Sequence, residues 1–172
     1  MKKILLLGLA IVFFTSCNEK QRYTQQSPEI DSFKKLMNAY KTKNWDEYPS
    51  HYADTAKIAN NVIKEKRVSV AEVIKTNKED AALFNWVVEK EEYEMVVTDD
   101  KETWVNFWGL WKGTLKSSGK VYQIPFHITS RFIDGKIVAE YGYWNNSEIG
   151  TDMLKQPEAT ANAAKTEATT EK

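Results

Sequence analysis

The sequence predicts an α+β domain, with helices on one face of a curved, mainly antiparallel sheet. Three observations predict it. Helix-start signals crowd the first half of the chain. From Tyr93 onward the pattern turns to β. The breaks between the strand-like runs are short, and Asp134-Gly135 is a two-residue hairpin signal. At 172 residues the chain is long enough for one domain with a real core.

The first helix is expected from Pro28 to about Lys43. Ser27 is its N-cap, Pro28 suits its first turn and Glu29 the positive end of its dipole. Ile30, Phe33, Met37 and Tyr40 recur at helical spacing, with Leu36 alongside. Asn44-Trp45-Asp46-Glu47 has the form of a capping box, which predicts a short second helix ending near Tyr52; Pro49 disturbs its first turn. Thr55 to Asn60 reads as a short strand, and Ser69-Val70-Ala71-Glu72 is a second capping box opening a helix to about Asn77. Ala81 to Val88 reads as helix turning into strand. The strands Tyr93–Thr98, Thr103–Leu115, Val121–Phe132 and Lys136–Trp144 follow, rich in branched and aromatic residues.

The ends carry different information. Met1-Lys2-Lys3 is a positive leader, Ile4 to Phe14 an uninterrupted apolar run, and Thr15-Ser16 precede Cys17, the sole cysteine. As a helix the run spans roughly 16 Å, short of a ~30 Å hydrocarbon core, so a removed signal fits better than a span. A small residue before a lone Cys resembles a bacterial lipoprotein signal, although Phe14 stands where Leu is usual. The resemblance implies lipidation at Cys17, a membrane anchor and a place in the cell envelope, on the periplasmic or outer-membrane side. With Cys17 acylated, the folded part has no thiol for a disulfide or a cysteine metal site. The expected organisation is a signal over 1–17, a polar tether over 18–27, the working domain over 28–154 and a low-complexity tail over 155–172 that lacks large apolar residues.

Three stretches carry a further likeness: KNWDEYPSHYADTAKI, RVSVAEVI and SRFIDGKIVAEYGYWN. Their order and spacing, over about residues 30 to 148, resemble the SnoaL-like branch of the nuclear-transport-factor-2-like superfamily. That resemblance implies a cone-shaped α+β fold whose sheet wraps around helices and often encloses an apolar pocket. The ketosteroid isomerase branch of the same superfamily works with an Asp base, a Tyr donor and a protonated Asp donor in such a pocket. The matching positions here hold Asn60, Leu36 and Ile128. An amide accepts no substrate proton and the other two stabilise no oxyanion, so isomerase chemistry of that type is excluded.

With Asp134-Gly135 as the loop, a regular hairpin sets Arg131 opposite Val138, Thr129 opposite Glu140 and His127 opposite Gly142. His127, Thr129, Glu140 and Trp144 then share the inner face, and His127 and Glu140 stand diagonally, about 7–8 Å apart at Cα. A His beside a carboxylate can act as a general base with an orienting partner. The competing reading pairs Glu140 with Arg131 and leaves His127 satisfied and half-buried. Trp104 and Trp108 alternate with Phe107 and Trp111, so both faces of that strand are apolar. One face lines the pocket or core; the other needs cover, and a homodimer through the convex sheet is one way to supply it. His51 reads as a packing or surface residue.

Charge is balanced, 24 basic against 24 acidic residues, which gives no basic face for nucleic acid. Two His in the chain offer no metal site, no phosphate-binding loop is present, and no cofactor is expected. The leading expectation is a lipid-anchored domain that binds a small, mostly apolar ligand, contacted by Asn60, Trp108, Thr129 and Trp144, without ketosteroid-isomerase-type chemistry. Two alternatives stand beside it. One is a lyase- or hydratase-like enzyme using His127 with Glu140; the other is a non-catalytic dimeric interaction module whose cone is filled by its own side chains.

Overall fold

A computed structural model describes residues 22–155. The leader, Cys17 and most of the tail therefore lie outside the described residues. Strand β1 (Tyr23–Thr24) falls within the stretch expected as a tether; it pairs antiparallel with the far end of β3. Helix α1 (Pro28–Thr42) begins as expected, with Ser27 Oγ accepting from the Ile30 amide at 3.2 Å, and ends on Lys43 in the left-handed region, φ 58°.

The expected second helix is only a 3-10 turn, Tyr48–His51. That 3-10 turn has no side-chain cap of its own; Asn44 Oδ1 accepts from the Glu47 amide at 3.2 Å in the turn before it. Pro49 has no amide to continue a hydrogen-bond ladder, and the chain leaves at once into β2 (Tyr52–Asn60). Helix α2 (Val70–Leu83) carries the full capping box, Ser69 Oγ accepting from Glu72 and the Glu72 carboxylate accepting from the Ser69 amide. It runs six residues beyond the expected end at Asn77. Only Val73 of this helix is buried, so its apolar stripe marks its length poorly.

Strands β3 (Phe84–Val97), β4 (Thr103–Leu115), β5 (Val121–Ile133) and β6 (Lys136–Trp144) form an antiparallel meander. The sheet order is β1-β3-β4-β5-β6-β2, and β2 pairs parallel to β6. A short helix α3, residues 147–155, follows. The curled sheet holds α1 in its concavity, the arrangement the sequence predicts. Ile30, Phe33, Leu36 and Met37 of α1 are buried against Val88, Val105, Phe107, Phe132 and Ile137 of the sheet. A second apolar cluster of Phe84, Trp86, Leu115 and Tyr122 receives Ile149 and Met153 of α3. Among the described residues no helix is long and apolar enough to cross a membrane.

One irregularity decides the site. In the β5–β6 hairpin Ile133 pairs with Lys136 as a two-residue loop requires, and Phe132 pairs with Ile137. Arg131 then pairs with Ala139, so Val138 is an extra residue, a bulge. Beyond it each β5 residue faces a β6 residue one further along than a regular hairpin would give.

Candidate functional site

Because side chains alternate across a sheet, that single extra residue exchanges the faces of β5 relative to β6. Glu140 stands opposite Ser130, Gly142 opposite Ile128 and Trp144 opposite Phe126, all inward. Thr129 stands opposite Tyr141 and His127 opposite Tyr143, on the convex surface. The expected His127–Glu140 dyad is therefore not formed: the sheet separates the two side chains. His127 instead donates from Nδ1 to the Phe107 carbonyl at 2.9 Å and lies between the rings of Trp108 and Tyr143, at centroid distances of 4.9 and 6.5 Å. Trp108 is on the same outer face and 40% exposed. Trp108, Thr129 and His127 are thus not pocket residues. The competing pairing of Glu140 with Arg131 also fails, since Arg131 bonds Glu102 at 3.0 Å on the outer surface.

Inside the cone lies a cavity of about 200 Å³. Asn60, Glu140 and Trp144 line it as the sequence predicted. So do Leu36 and Ile128, the other two positions matched to isomerase groups. The cavity is therefore in the place the resemblance implied, with no isomerase group at any of the three matched positions. It also means that the cone is not filled by its own side chains.

The polar end of the cavity is a chain of hydroxyls converging on one carboxyl. Tyr48 and Tyr52, brought together by the 3-10 turn, stand 3.2 Å apart at their hydroxyls. The Tyr52 hydroxyl donates to Glu140 Oε2 at 2.9 Å, and Ser130 Oγ donates to the same oxygen at 3.1 Å. Glu140 Oε1 accepts no hydrogen bond among the described residues. Glu140 is 3% exposed, and burial pushes its carboxyl from 4.5 up to about 7, against the downward pull of the Tyr52 and Ser130 hydrogen bonds. The same burial, reinforced by the Glu140 charge, holds the Tyr48 and Tyr52 hydroxyls well above the ordinary tyrosine range. Both tyrosines are donors here and stay protonated.

Asn60 ends β2 beside Gly142 of β6. A Cβ at Gly142 would sit 2.5 Å from Asn60 Oδ1 and 2.6 Å from the Trp144 ring, so the missing side chain makes room for both. Asn60 Oδ1 is buried without a hydrogen-bond partner. Asn61 next to it is a turn residue, φ 53°, whose side chain accepts from the Trp144 amide at 3.0 Å. His51 lies apart from the cavity's wall, its pKa lowered by burial.

Sequence reasoning missed Tyr48, Tyr52 and Trp111, all on the cavity wall. A signal for the tyrosines existed: two Tyr four residues apart around a Pro place two apolar bodies with polar tips at the mouth of a strand. Trp111 follows from the same alternation that put Trp108 outside. Asp80 of α2 and Asn146 and Ile149 at the start of α3 complete the rim.

No family model and no curated protein sequence matches the chain. Solved structures do match, and they define a class: the cone-shaped fold of nuclear-transport-factor-2-like proteins. An NTF2-like protein from Burkholderia xenovorans is 11% identical at a TM-score of 0.55, over 71% of this chain and 93% of that one. Within that class the chain is also similar to a proposed polyketide cyclase from Xanthomonas campestris (TM-score 0.60, 14% identity, 73% of this chain and 96% of that one). AclR, a proposed hydroxylase from Streptomyces galilaeus, gives a TM-score of 0.60 at 16% identity, over 75% of this chain and 97% of that one. At such identities the likeness shows the fold alone.

Proposed function

We propose that this chain is a SnoaL-like domain that holds a small, mostly apolar molecule in its cone, tethered to the cell envelope through a lipid on Cys17. The observation that carries the reading is the cavity itself: about 200 Å³ of space with apolar and aromatic walls and a few polar groups, among them the Glu140 carboxyl and the Asn60 amide. Apolar walls with a few placed polar groups are the usual make-up of a ligand site. The proposed polyketide cyclase among the similar structures agrees with a pocket for an organic molecule. Native mass spectrometry of the protein purified from its own host tests the reading. A stoichiometric small molecule supports it; repeated recovery of an empty domain sinks it. Cys17→Ser should release the protein from the membrane fraction if the anchor is real.

A second reading is an enzyme in which Glu140 acts alone as general acid or base. Its support is the carboxyl held at about 7, the range in which both protonation states are populated at working pH. The convex face favours a homodimer as well, with Trp108 and Tyr143 left 40% and 52% exposed.

A further inference from the structure

The charges on the cavity wall are all of one sign. Glu140 stands at its polar end and Asp80 of α2 at its rim, and among the described residues no Lys, Arg or His lines it. Between the two acids the wall is aromatic, with Tyr40, Phe84, Trp111 and Trp144 among its rings. The negative face of an aromatic ring attracts a cation, most strongly when water is excluded. Glu140 Oε2 is bonded by Tyr52 and Ser130, which leaves Oε1 as an acceptor for an occupant. An anion would meet a desolvated carboxyl with nothing to offset it, and an uncharged hydrocarbon would leave that acceptor unpaired. A cationic nitrogen with N–H or polarised C–H groups answers the two acids, the aromatic wall and the free Glu140 oxygen together.

We propose that the cavity selects an organic cation, an ammonium group carried on an apolar body about one ring in size. The proposal rests on the ligand-binding reading above and specifies its substrate class. Size follows from the cavity, since an engineered cavity of about 150 Å³ admits benzene and this one is about 200 Å³. The ammonium sits toward Glu140, and the ring lies against Trp111 and Trp144.

The groups facing Glu140 predict a proton-linked signature. Tyr52 of β2 and Ser130 of β5 donate to it, and Tyr48 of the 3-10 turn stands behind Tyr52. None of these supplies a positive charge. A bound cation would be the first to do so, and it would draw the carboxyl, held at about 7 in the empty cavity, into its ionised form. Binding near neutral pH therefore releases a proton, and affinity falls about tenfold from pH 8 to pH 6.

Calorimetric titration of the full chain with three single-ring probes tests this: benzylammonium, its uncharged isostere benzyl alcohol, and phenylacetate. The expected order is cation over alcohol by tenfold or more, with phenylacetate weakest. E140Q should bring the cation and the alcohol within about threefold, while alcohol binding persists. Wild-type titrations at pH 6 and pH 8, which need no variant, should show the tenfold loss and the released proton. Equal or tighter binding of benzyl alcohol or phenylacetate overturns the cation proposal and leaves the ligand-binding reading standing. A cation preference that survives in E140Q, or an affinity flat between pH 6 and pH 8, also overturns it. Binding of none of the three overturns both.

Discussion

The two faces of the β4–β5–β6 sheet are built from nearly the same residue types and do opposite things. The convex face carries Trp104, Trp108, His127, Tyr141 and Tyr143, stacked in pairs such as Trp104–Tyr141 at 6.1 Å and left part-exposed. The concave face carries Phe107 in the packed core and Trp111, Phe126, Glu140 and Trp144 around a cavity. Each face sets one notable ionisable group among its rings, His127 outside and Glu140 inside. On the outside, His127 rests in solvent-accessible stacking with a backbone carbonyl as partner. On the inside, Glu140 is stripped of water and its carboxyl climbs to about 7. Residue type alone does not set the chemistry here; the face does, and the face is set by one bulged residue at Val138.

Substitutions can break this comparison. The largest effect should come from neighbouring residues on β4 that point opposite ways. Phe107 is fully buried against Phe33, Tyr93 and Phe126, so Phe107→Ala should cost about 3–5 kcal/mol. Trp108→Ala, one residue on, should cost the monomer about 1 kcal/mol or less and should dissociate any homodimer formed through this face. Urea titration and sedimentation together check both; similar costs at the two positions would deny the assignment of faces.

Next comes the pH dependence of stability. The folded-state value of Glu140 is raised above its ordinary 4.5, so the unfolded chain loses this proton first. The stability it contributes is full below about pH 4.5, falls as pH rises through about 7 and is level above. Over that window wild type should lose about 3 kcal/mol relative to Glu140→Gln, which keeps an acceptor for Tyr52 and Ser130 but does not titrate. Parallel stability curves for the two proteins would remove Glu140 from the interior.

Tyr52→Phe should be smaller, about 1–2 kcal/mol, because it deletes one hydrogen bond to a buried carboxyl. The Tyr52 bond pulls the Glu140 carboxyl down, so its loss should move the titration up, read from the carboxyl carbon by NMR. His127→Ala should have the smallest effect, under about 1 kcal/mol, with ligand affinity unchanged. A loss of affinity comparable to that of E140Q would restore His127 to the site.

Much of the fold was legible because local chemistry announces it. Ser27 and the Ser69–Glu72 pair cap helices where expected, and Asp134-Gly135 makes the turn of the β5–β6 hairpin. The place of the cavity was legible too, through Leu36, Asn60 and Ile128. The faces of β5 were not. Nothing in Lys136-Ile137-Val138-Ala139-Glu140 departs from a regular strand, since Val138 and Ala139 suit either face, so regular alternation aimed His127 and Thr129 inward. The bulge becomes visible only in the burial itself, which takes Phe132 and Ser130, two apart on β5, together with Ile137 and Glu140, three apart on β6, a tertiary demand that no local signal states. Tyr48 and Tyr52 were hidden for a related reason: their hydroxyls matter only because Glu140, far along the chain, is beneath them.

Helix α3 has a consequence for salt dependence. Asn146 and Ile149 stand at the rim of the cavity, and the helix is fastened to the sheet at its polar side by Lys120, which reaches Glu148 at 2.9 Å and also Asp152. Those pairs are solvent-facing and so are weakened by salt, whereas the Glu140 end of the cavity is shielded from it. Salt should therefore loosen the fastening at the rim and leave the Glu140 end as it is, so the two ends of one cavity answer differently to the medium.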